Sequence, residues 1–154
     1  MNIDTRNRII SGVLAVIIIF LAWLLYDSIT SPYEKVEEQR EVTEQVRHRL
    51  TVVRDVLVEY ERREDEFPQT LDDLVEWLKT NETMVEQGDS LFQFQDPYEY
   101  NPDSLIYSPR SGKRFNYALN DTLRPNIYLL EDPDTDDAIG SLERTTLLNA
   151  TNWN

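Results

Sequence analysis

The feature that most constrains this chain is a run of 18 uncharged residues at positions 9–26, IISGVLAVIIIFLAWLLY. An α-helix rises about 1.5 Å per residue, so the run spans roughly 27 Å, close to the ~30 Å hydrocarbon core of a bilayer. Trp23 and Tyr26 stand at its C-terminal edge, where amphipathic rings favour the headgroup region. We therefore predict a single transmembrane helix over residues 9–26.

A cleaved signal peptide is the alternative explanation of this run. The apolar part of a signal peptide usually spans about 7–15 residues and ends at a small-x-small cleavage site. The run here is longer, and Ser28-Ile29-Thr30 matches such a site poorly. We therefore prefer an anchor that stays attached to the chain.

Charges on either side of the run predict its orientation. Arg6 and Arg8 precede it, whereas Asp27 and Glu34 follow it. Lysine and arginine near a membrane span stay on the cytoplasmic side. We therefore expect a cytoplasmic head of residues 1–8 at a bacterial inner membrane, with the C-terminal part in the periplasm.

The chain is strongly acidic and contains no cysteine. Its 154 residues include 29 Asp and Glu against 15 Lys and Arg, which gives a net charge of −14. This charge opposes nucleic-acid binding, which needs clustered cations, and suits basic proteins or divalent cations. Without cysteine, neither disulfides nor thiolate metal sites can form. The expected partners are membrane lipid, through residues 9–26, and other envelope proteins.

A second long helix is predicted from residue 33 to about residue 65, a stretch without Gly or Pro. Ser31-Pro32 is expected either to end the membrane span or to begin this helix. Its apolar stripe steps by three and four residues through Val36, Gln39, Thr43, Val46, Leu50, Val53, Leu57 and Tyr60. Val52, Val56 and Val58 broaden the second half of the stripe.

The thin first half of this stripe predicts a solvated helical stalk over residues 27–45. The broad second half predicts a helix that packs on its own domain, which we place at residues 46–154. A coiled coil with a partner helix along the same stripe is the alternative.

An α+β domain follows from the remaining pattern. Phe67-Pro68 closes the long helix, and Thr70 caps a second helix that ends near Asn81. Four short segments, at 91–95, 104–108, 113–119 and 126–131, predict an antiparallel sheet because they alternate and are separated by turn residues. The tail, residues 140–154, either docks through Leu142, Leu147, Leu148 and Trp153 or forms a loose end.

The sharpest chemical motif is DPDTDDAIGSLE at residues 132–143. Asp132, Asp134, Asp136 and Glu143 stand at positions 1, 3, 5 and 12 of an EF-hand-like calcium loop. Asp137 occupies the sixth position, where such loops have glycine. Weak calcium binding is therefore one interpretation of this motif, and an exposed acidic turn is the other.

No motif for catalysis accompanies this loop. His48 is the only histidine and lies between Arg47 and Arg49, so a solvated side chain is expected there. The chain has no G-x-S-x-G, P-loop or G-x-G-x-x-G motif. We therefore expect a protein that is not an enzyme and has no cofactor, apart from the calcium candidate.

Residues 57–74, LVEYERREDEFPQTLDDL, resemble the pseudopilin pattern of an apolar helix with a Tyr, an aromatic-Pro pair and spaced leucines. Asp96-Pro97-Tyr98, followed by Tyr100, is similar to the stretch that opens the sheet in that family. The resemblance implies a long N-terminal helix, half in the membrane and half packed on a small antiparallel sheet. The chain departs from the family where prepilins are processed, since Val13 follows Gly12 and position 17 is Ile rather than Glu.

The chain also resembles an uncharacterised family of bacterial single-pass membrane proteins. The likeness rests on the span, the charged helix, DSLIY at residues 103–107, GSLE at residues 140–143, and Asn152-Trp153. It implies a similar topology and no assigned activity.

These features together predict a non-enzymatic, membrane-anchored accessory or structural subunit of a bacterial envelope complex, which presents a pilin-like periplasmic domain to partner proteins. Two alternatives stay open. One is a pseudopilin-type filament component of a secretion or pilus system, and the other is a coiled-coil assembly scaffold.

Overall fold

A computed structural model describes residues 3–91 and 101–153. The elements, in chain order, are α1 (Ile3–Glu64), α2 (Leu71–Thr80), α3 (Glu82–Leu91), α4 (Pro102–Leu105), β1 (Asn116–Asn120), β2 (Ile127–Glu131) and β3 (Ala138–Gly140), followed by a 3-10 turn at Thr145–Leu147. By its internal contacts the chain divides into two compact units, residues 1–41 and residues 42–154.

The first unit consists of the N-terminal part of α1. Its segment Arg6–Ser28 is 23 residues long, apolar enough to cross a membrane, and not buried by other residues among those that the structure describes. The prediction of a helix with the length and composition of a membrane span at residues 9–26 is thus confirmed.

The helix does not restart at Ser31-Pro32, so the alternative in which Pro32 begins a second helix is wrong. The α1 backbone runs through both residues as part of one 62-residue helix. A proline inside a helix removes one backbone hydrogen bond and disfavours the helix by about 3 kcal/mol. The many remaining hydrogen bonds of so long a helix offset this cost.

In the second unit, α1 supplies one wall of the hydrophobic core. Val46, Leu50, Val53 and Leu57 are fully buried, as the stripe predicts. Tyr60 packs at the edge of the core. Of the three valines predicted to broaden the buried face, Val52 and Val56 are buried. Val58 is 37% exposed, so it does not broaden that face.

A left-handed residue at the end of α1 and a capping residue at the start of α2 separate the two helices. The helix stops at Glu64, and Asp65 takes a left-handed conformation with φ 61°, the usual conformation just past a helix C-terminus. Thr70 caps α2 as predicted: its hydroxyl accepts from the Asp73 N–H at 3.2 Å, and the Asp73 carboxylate accepts from the Thr70 N–H at 2.8 Å. This reciprocal pair is a capping box.

The sheet is antiparallel and three-stranded, in the order β1-β2-β3. Ala118 pairs with Leu129, and Leu130 pairs with Ile139. The segment predicted at 126–131 forms β2, and the segment predicted at 113–119 forms β1 from Asn116 onward. The expected combination of helices with a small antiparallel sheet is therefore confirmed.

The other strand predictions have different outcomes. Residues 104–108 do not form a continuous strand, because α4 covers Pro102–Leu105 and its cap Asn101 accepts from the Asp103 N–H at 2.9 Å. Tyr107 alone makes an antiparallel bridge, with Arg114. A cap followed by proline in the first turn favours a helix over the short SLIY run. The strand predicted at 91–95 falls outside the described residues, apart from Leu91, which ends α3.

Strand β3 lies inside the segment predicted as a calcium loop. Gly140 is required there because its φ is +91°, and an added Cβ would lie 2.2 Å from the Tyr128 carbonyl oxygen. The tail beyond it is docked, since Leu148 and Trp153 pack against the core, although Leu147 is exposed.

Candidate functional site

The described part of the second unit concentrates its polar contacts where two loops meet α1. We name this region the ionic cluster and define it by three cationic and three acidic residues. They are Arg47, Arg110, Lys113, Asp132, Asp134 and Asp137. The ionic cluster in the second unit and the apolar segment Arg6–Ser28 in the first are two separate candidate functional regions.

Two backbone turns position the side chains of the ionic cluster. In the first, the Gly112 N–H donates to the Ser108 carbonyl at 2.8 Å, and the Ser108 N–H donates to the Lys113 carbonyl at 2.8 Å. In the second, the Asp132 N–H donates to the Asp137 carbonyl at 2.9 Å and closes the connection between β2 and β3. Each turn therefore holds its charged side chains on a short, hydrogen-bonded loop.

The best-formed contact of the ionic cluster joins Arg47 to Asp137. The Arg47 Nε and Nη2 atoms donate to the two Asp137 carboxylate oxygens at 3.0 and 2.9 Å, a bidentate geometry. The hydrogen bond to Asp137 raises the pKa of Arg47 above its usual value. The Arg47 guanidinium also lies 5.4 Å from the centre of the Trp153 ring, within the range of a cation–π contact.

A second ion pair joins the half-buried Arg110 to the buried Asp132 and is incompletely hydrogen-bonded. The Asp132 side chain is fully buried, and its Oδ2 atom lies 3.9 Å from Arg110 Nε. Thr135 donates to the same oxygen at 2.9 Å, and Arg110 Nη2 donates to Thr43 at 2.9 Å. Within the described residues, Asp132 Oδ1, Arg110 Nε and Ser108 Oγ are buried atoms that make no hydrogen bond.

The third ion pair lies at the surface. The Lys113 ammonium donates to Asp134 at 2.5 Å, and the Ser111 hydroxyl donates to the same carboxylate. The hydrogen bond from Lys113, followed by that from Ser111, lowers the pKa of Asp134. The same contact raises the pKa of Lys113.

The four calcium candidates are not gathered around one point. Asp132 and Asp134 face cationic side chains, whereas Asp136 and Glu143 are exposed, with β3 between them in the chain. Among residues 3–91 and 101–153, no group of three or more His, Asp or Glu side chains is placed to hold a metal ion. Calcium binding stays a prediction. A calcium ion would have to compete with Arg110 and Lys113, which already contact Asp132 and Asp134.

The surface grooves of the domain are open and mostly polar. One groove of about 320 Å³ lies between residues 69–72 and residues 114–117. The Arg114–Asp72 ion pair, at 2.9 Å, is part of its wall. A second groove carries three acidic side chains and one arginine; its lining residues are Asp65, Glu66, Phe67, Gln69, Asp121, Arg124 and Asn126.

Sequence reasoning missed the Arg47 contacts. Arg47 and Asp137 are 90 residues apart, and nothing in their local sequences marks them as a pair. The apolar stripe, which includes the preceding residue Val46, predicts the buried face of α1. The sequence therefore places Arg47 beside the core, but it does not indicate which carboxylate Arg47 binds. His48, expected to be solvated, is half-buried on α1.

Comparisons of the chain with models of known protein families, with curated proteins and with solved structures give no match. The resemblances to pseudopilins and to the family of single-pass proteins therefore stay predictions.

Proposed function

We propose that this chain is a non-enzymatic, membrane-anchored accessory subunit of a bacterial envelope complex, with its folded domain on the periplasmic side. The observation that carries the proposal is the segment Arg6–Ser28, an apolar helix that none of the other described residues covers. Exposing so many large apolar side chains to water is unfavourable, so lipid or other membrane helices must cover them.

The orientation in the proposal depends on charge. Arg6 and Arg8 flank the span on one side, and acidic residues follow on the other. The positive-inside tendency places the short head in the cytoplasm. The acidic domain is then exported, where it meets other envelope proteins.

The charges of the domain support a protein partner over nucleic acid. Most of its described cations, including Arg47, Arg54 and Lys113, are already in internal ion pairs. Acidic side chains outnumber basic ones in the chain by 29 to 15, so the surface that remains is predominantly negative. Such a surface favours association with a basic protein face.

The packing of α1 bears on the coiled-coil alternative. Leu50, Val53 and Leu57 belong to the predicted stripe and are fully buried in the chain's own domain. A coiled coil along this part of the helix would have to expose them. Outside the membrane, pairing of α1 with a partner helix is therefore favoured only in the part of α1 before residue 46.

The proposal is tested by purifying the tagged chain from its native membrane in mild detergent and identifying stoichiometric partners. The matched control is a tagged segment of residues 1–41, which keeps the anchor and lacks the domain. We expect at least one envelope protein to co-purify with the full chain and not with the control. A monodisperse monomer without a stoichiometric partner would contradict the proposal.

The filament alternative predicts a different covalent state of the chain. Pseudopilin-type processing would remove the head after Gly12 and methylate the new N-terminus. Intact mass spectrometry of the purified chain separates the two functions, since an unprocessed N-terminus is expected for a permanent anchor.

A further inference from the structure

Three buried polar atoms at the ionic cluster make no hydrogen bond to any described residue. They are Ser108 Oγ, Arg110 Nε and Asp132 Oδ1. The Asp132 side chain is fully buried, and Ser108 is 1% exposed. Burying a polar atom without a partner is unfavourable, so nearly all such atoms in proteins bond to protein groups or to ordered water.

The three atoms belong to two loops that meet at Arg110. Ser108 and Arg110 share one turn, which is closed by the Gly112 N–H donating to the Ser108 carbonyl at 2.8 Å. Arg110 Nε lies 3.9 Å from Asp132 Oδ2, which belongs to the same carboxylate as the unpartnered Oδ1. Arg110 therefore connects the Ser108 turn to the Asp132 side chain.

The separation of Arg110 Nε and the Asp132 carboxylate is longer than a direct hydrogen bond, which spans about 2.7–3.2 Å for N–H···O. A second partner holds each side chain where it is. Thr135 donates to Asp132 Oδ2 at 2.9 Å, and Arg110 Nη2 donates to Thr43 Oγ1 at 2.9 Å. This arrangement favours a bridging molecule over direct closure of the ion pair.

The chemistry of the three atoms defines what can bridge them. The Arg110 Nε–H only donates, an ionised carboxylate only accepts, and the Ser108 hydroxyl can do both. A water molecule can accept from Arg110, donate to Asp132 and form either kind of bond with Ser108. Buried waters typically make about three such bonds to groups that have no other partner.

The charges at this position favour a neutral occupant. Arg110 and Asp132 have opposite charges and lie 3.9 Å apart. A cation attracted by the carboxylate would be repelled by the guanidinium, and an anion would be repelled by the carboxylate. A small neutral molecule that both donates and accepts hydrogen bonds avoids both costs.

We propose that one ordered water binds in the domain and bridges Ser108 Oγ, Arg110 Nε and Asp132 Oδ1. The water joins the turn at residues 108–113 to the loop between β2 and β3, and Arg110 extends this connection to Thr43 on α1. It also occupies the Asp132 oxygen that a calcium ion would need. The site depends on the packing of the domain alone, so it does not rest on the proposed function.

Ser108→Ala tests the site through the sign of a stability change, measured by denaturant titration of the full chain in detergent. The variant keeps the backbone bonds of the turn and removes one partner of the water. We expect the unfolding equilibrium constant to rise about fivefold, the change for loss of one hydrogen bond. A constant that falls or stays unchanged would overturn the proposal, because it would show that the buried hydroxyl has no partner to lose.

A crystal structure of the full chain shows the occupant directly. The matched control is Ser111→Ala, in the same turn, where the parent hydroxyl donates directly to Asp134. We expect one density peak about 2.6–3.2 Å from all three atoms in the parent and in the control. In Ser108→Ala the peak should keep only its contacts to Arg110 and Asp132.

Two crystallographic results would overturn the proposal. One is direct contact between these side chains without a density peak. The other is an ion with six to eight oxygen ligands at about 2.3–2.6 Å, which would instead identify the site as a calcium site.

Discussion

Truncation of Leu57 tests how α1 is used in the second unit. Leu57 is fully buried in the core, whereas its neighbour Val58 is 37% exposed on the same turn. Leu57→Ala removes a large buried side chain and leaves a cavity, which costs about 2–5 kcal/mol of unfolding free energy in well-packed cores. Val58→Ala, the matched control, should cost less than about 1 kcal/mol because its side chain faces solvent.

The assay is thermal unfolding of the full chain in detergent, followed by near-UV circular dichroism. This signal reports tertiary packing. A helix that stays folded in the detergent micelle therefore does not mask the unfolding of the domain. For a domain of this size, 1 kcal/mol corresponds to roughly 3–6 °C in melting temperature. We therefore expect Leu57→Ala to melt roughly 10–20 °C below the parent and Val58→Ala to melt within a few degrees of it.

A Leu57→Ala chain that melts like the parent would refute this packing. That result would indicate that Leu57 faces solvent or a partner helix, as in the coiled-coil alternative. Equal losses in both variants would also contradict the structure, since one of the two positions is exposed.

Three further predictions concern single features of the domain. Thr70→Ala should lower the unfolding free energy by about 1 kcal/mol, because it removes the cap of α2, and denaturant titration measures this loss. Burial raises the pKa of Tyr117, so above pH ~10 the unfolded chain loses a phenol proton that the folded chain retains, and stability falls. The melting temperature of Tyr117→Phe should therefore fall less between pH 8 and pH 11 than that of the parent. Millimolar calcium should leave the melting temperature of the metal-free chain unchanged, because Asp132 and Asp134 already face cationic side chains; a calcium-dependent rise would instead support the loop as a binding site.

The parts of the fold that were predicted correctly depend on short-range patterns. The stripe through Val46, Leu50 and Leu57 repeats with the helical period, so it identified the buried face of α1. Thr70 with Asp73 is a local cap, and its partners lie three residues apart. Such signals act within one or two turns of chain, where the sequence alone determines the geometry.

The parts of the fold that were missed depend on competition between local signals or on contacts between residues far apart in the sequence. The cap at Asn101 outweighs the strand tendency of the residues that follow it. The acidic run at residues 132–143 resembles a metal loop, but β3 forms within it because β2 offers a pairing edge. That run contains the three carboxylates of the ionic cluster, but its pattern predicted calcium ligands or an exposed turn and not ion pairs. Its cationic partner Arg47 could not be identified, because a contact across 90 residues depends on how the whole domain packs.

In the proposed topology, the apolar helix anchors the chain and leaves the domain outside the cytoplasm. Because the chain has no cysteine, a single introduced thiol reports the side of the membrane on which it lies. Asn7→Cys places the thiol in the head predicted over residues 1–8, and Arg144→Cys places it at an exposed position of the domain.

Spheroplasts expressing each variant are treated with a membrane-impermeant maleimide, before and after lysis. We expect labelling of Arg144→Cys in intact spheroplasts and labelling of Asn7→Cys only after lysis. Labelling of Asn7→Cys in intact spheroplasts, with Arg144→Cys protected until lysis, would contradict this topology.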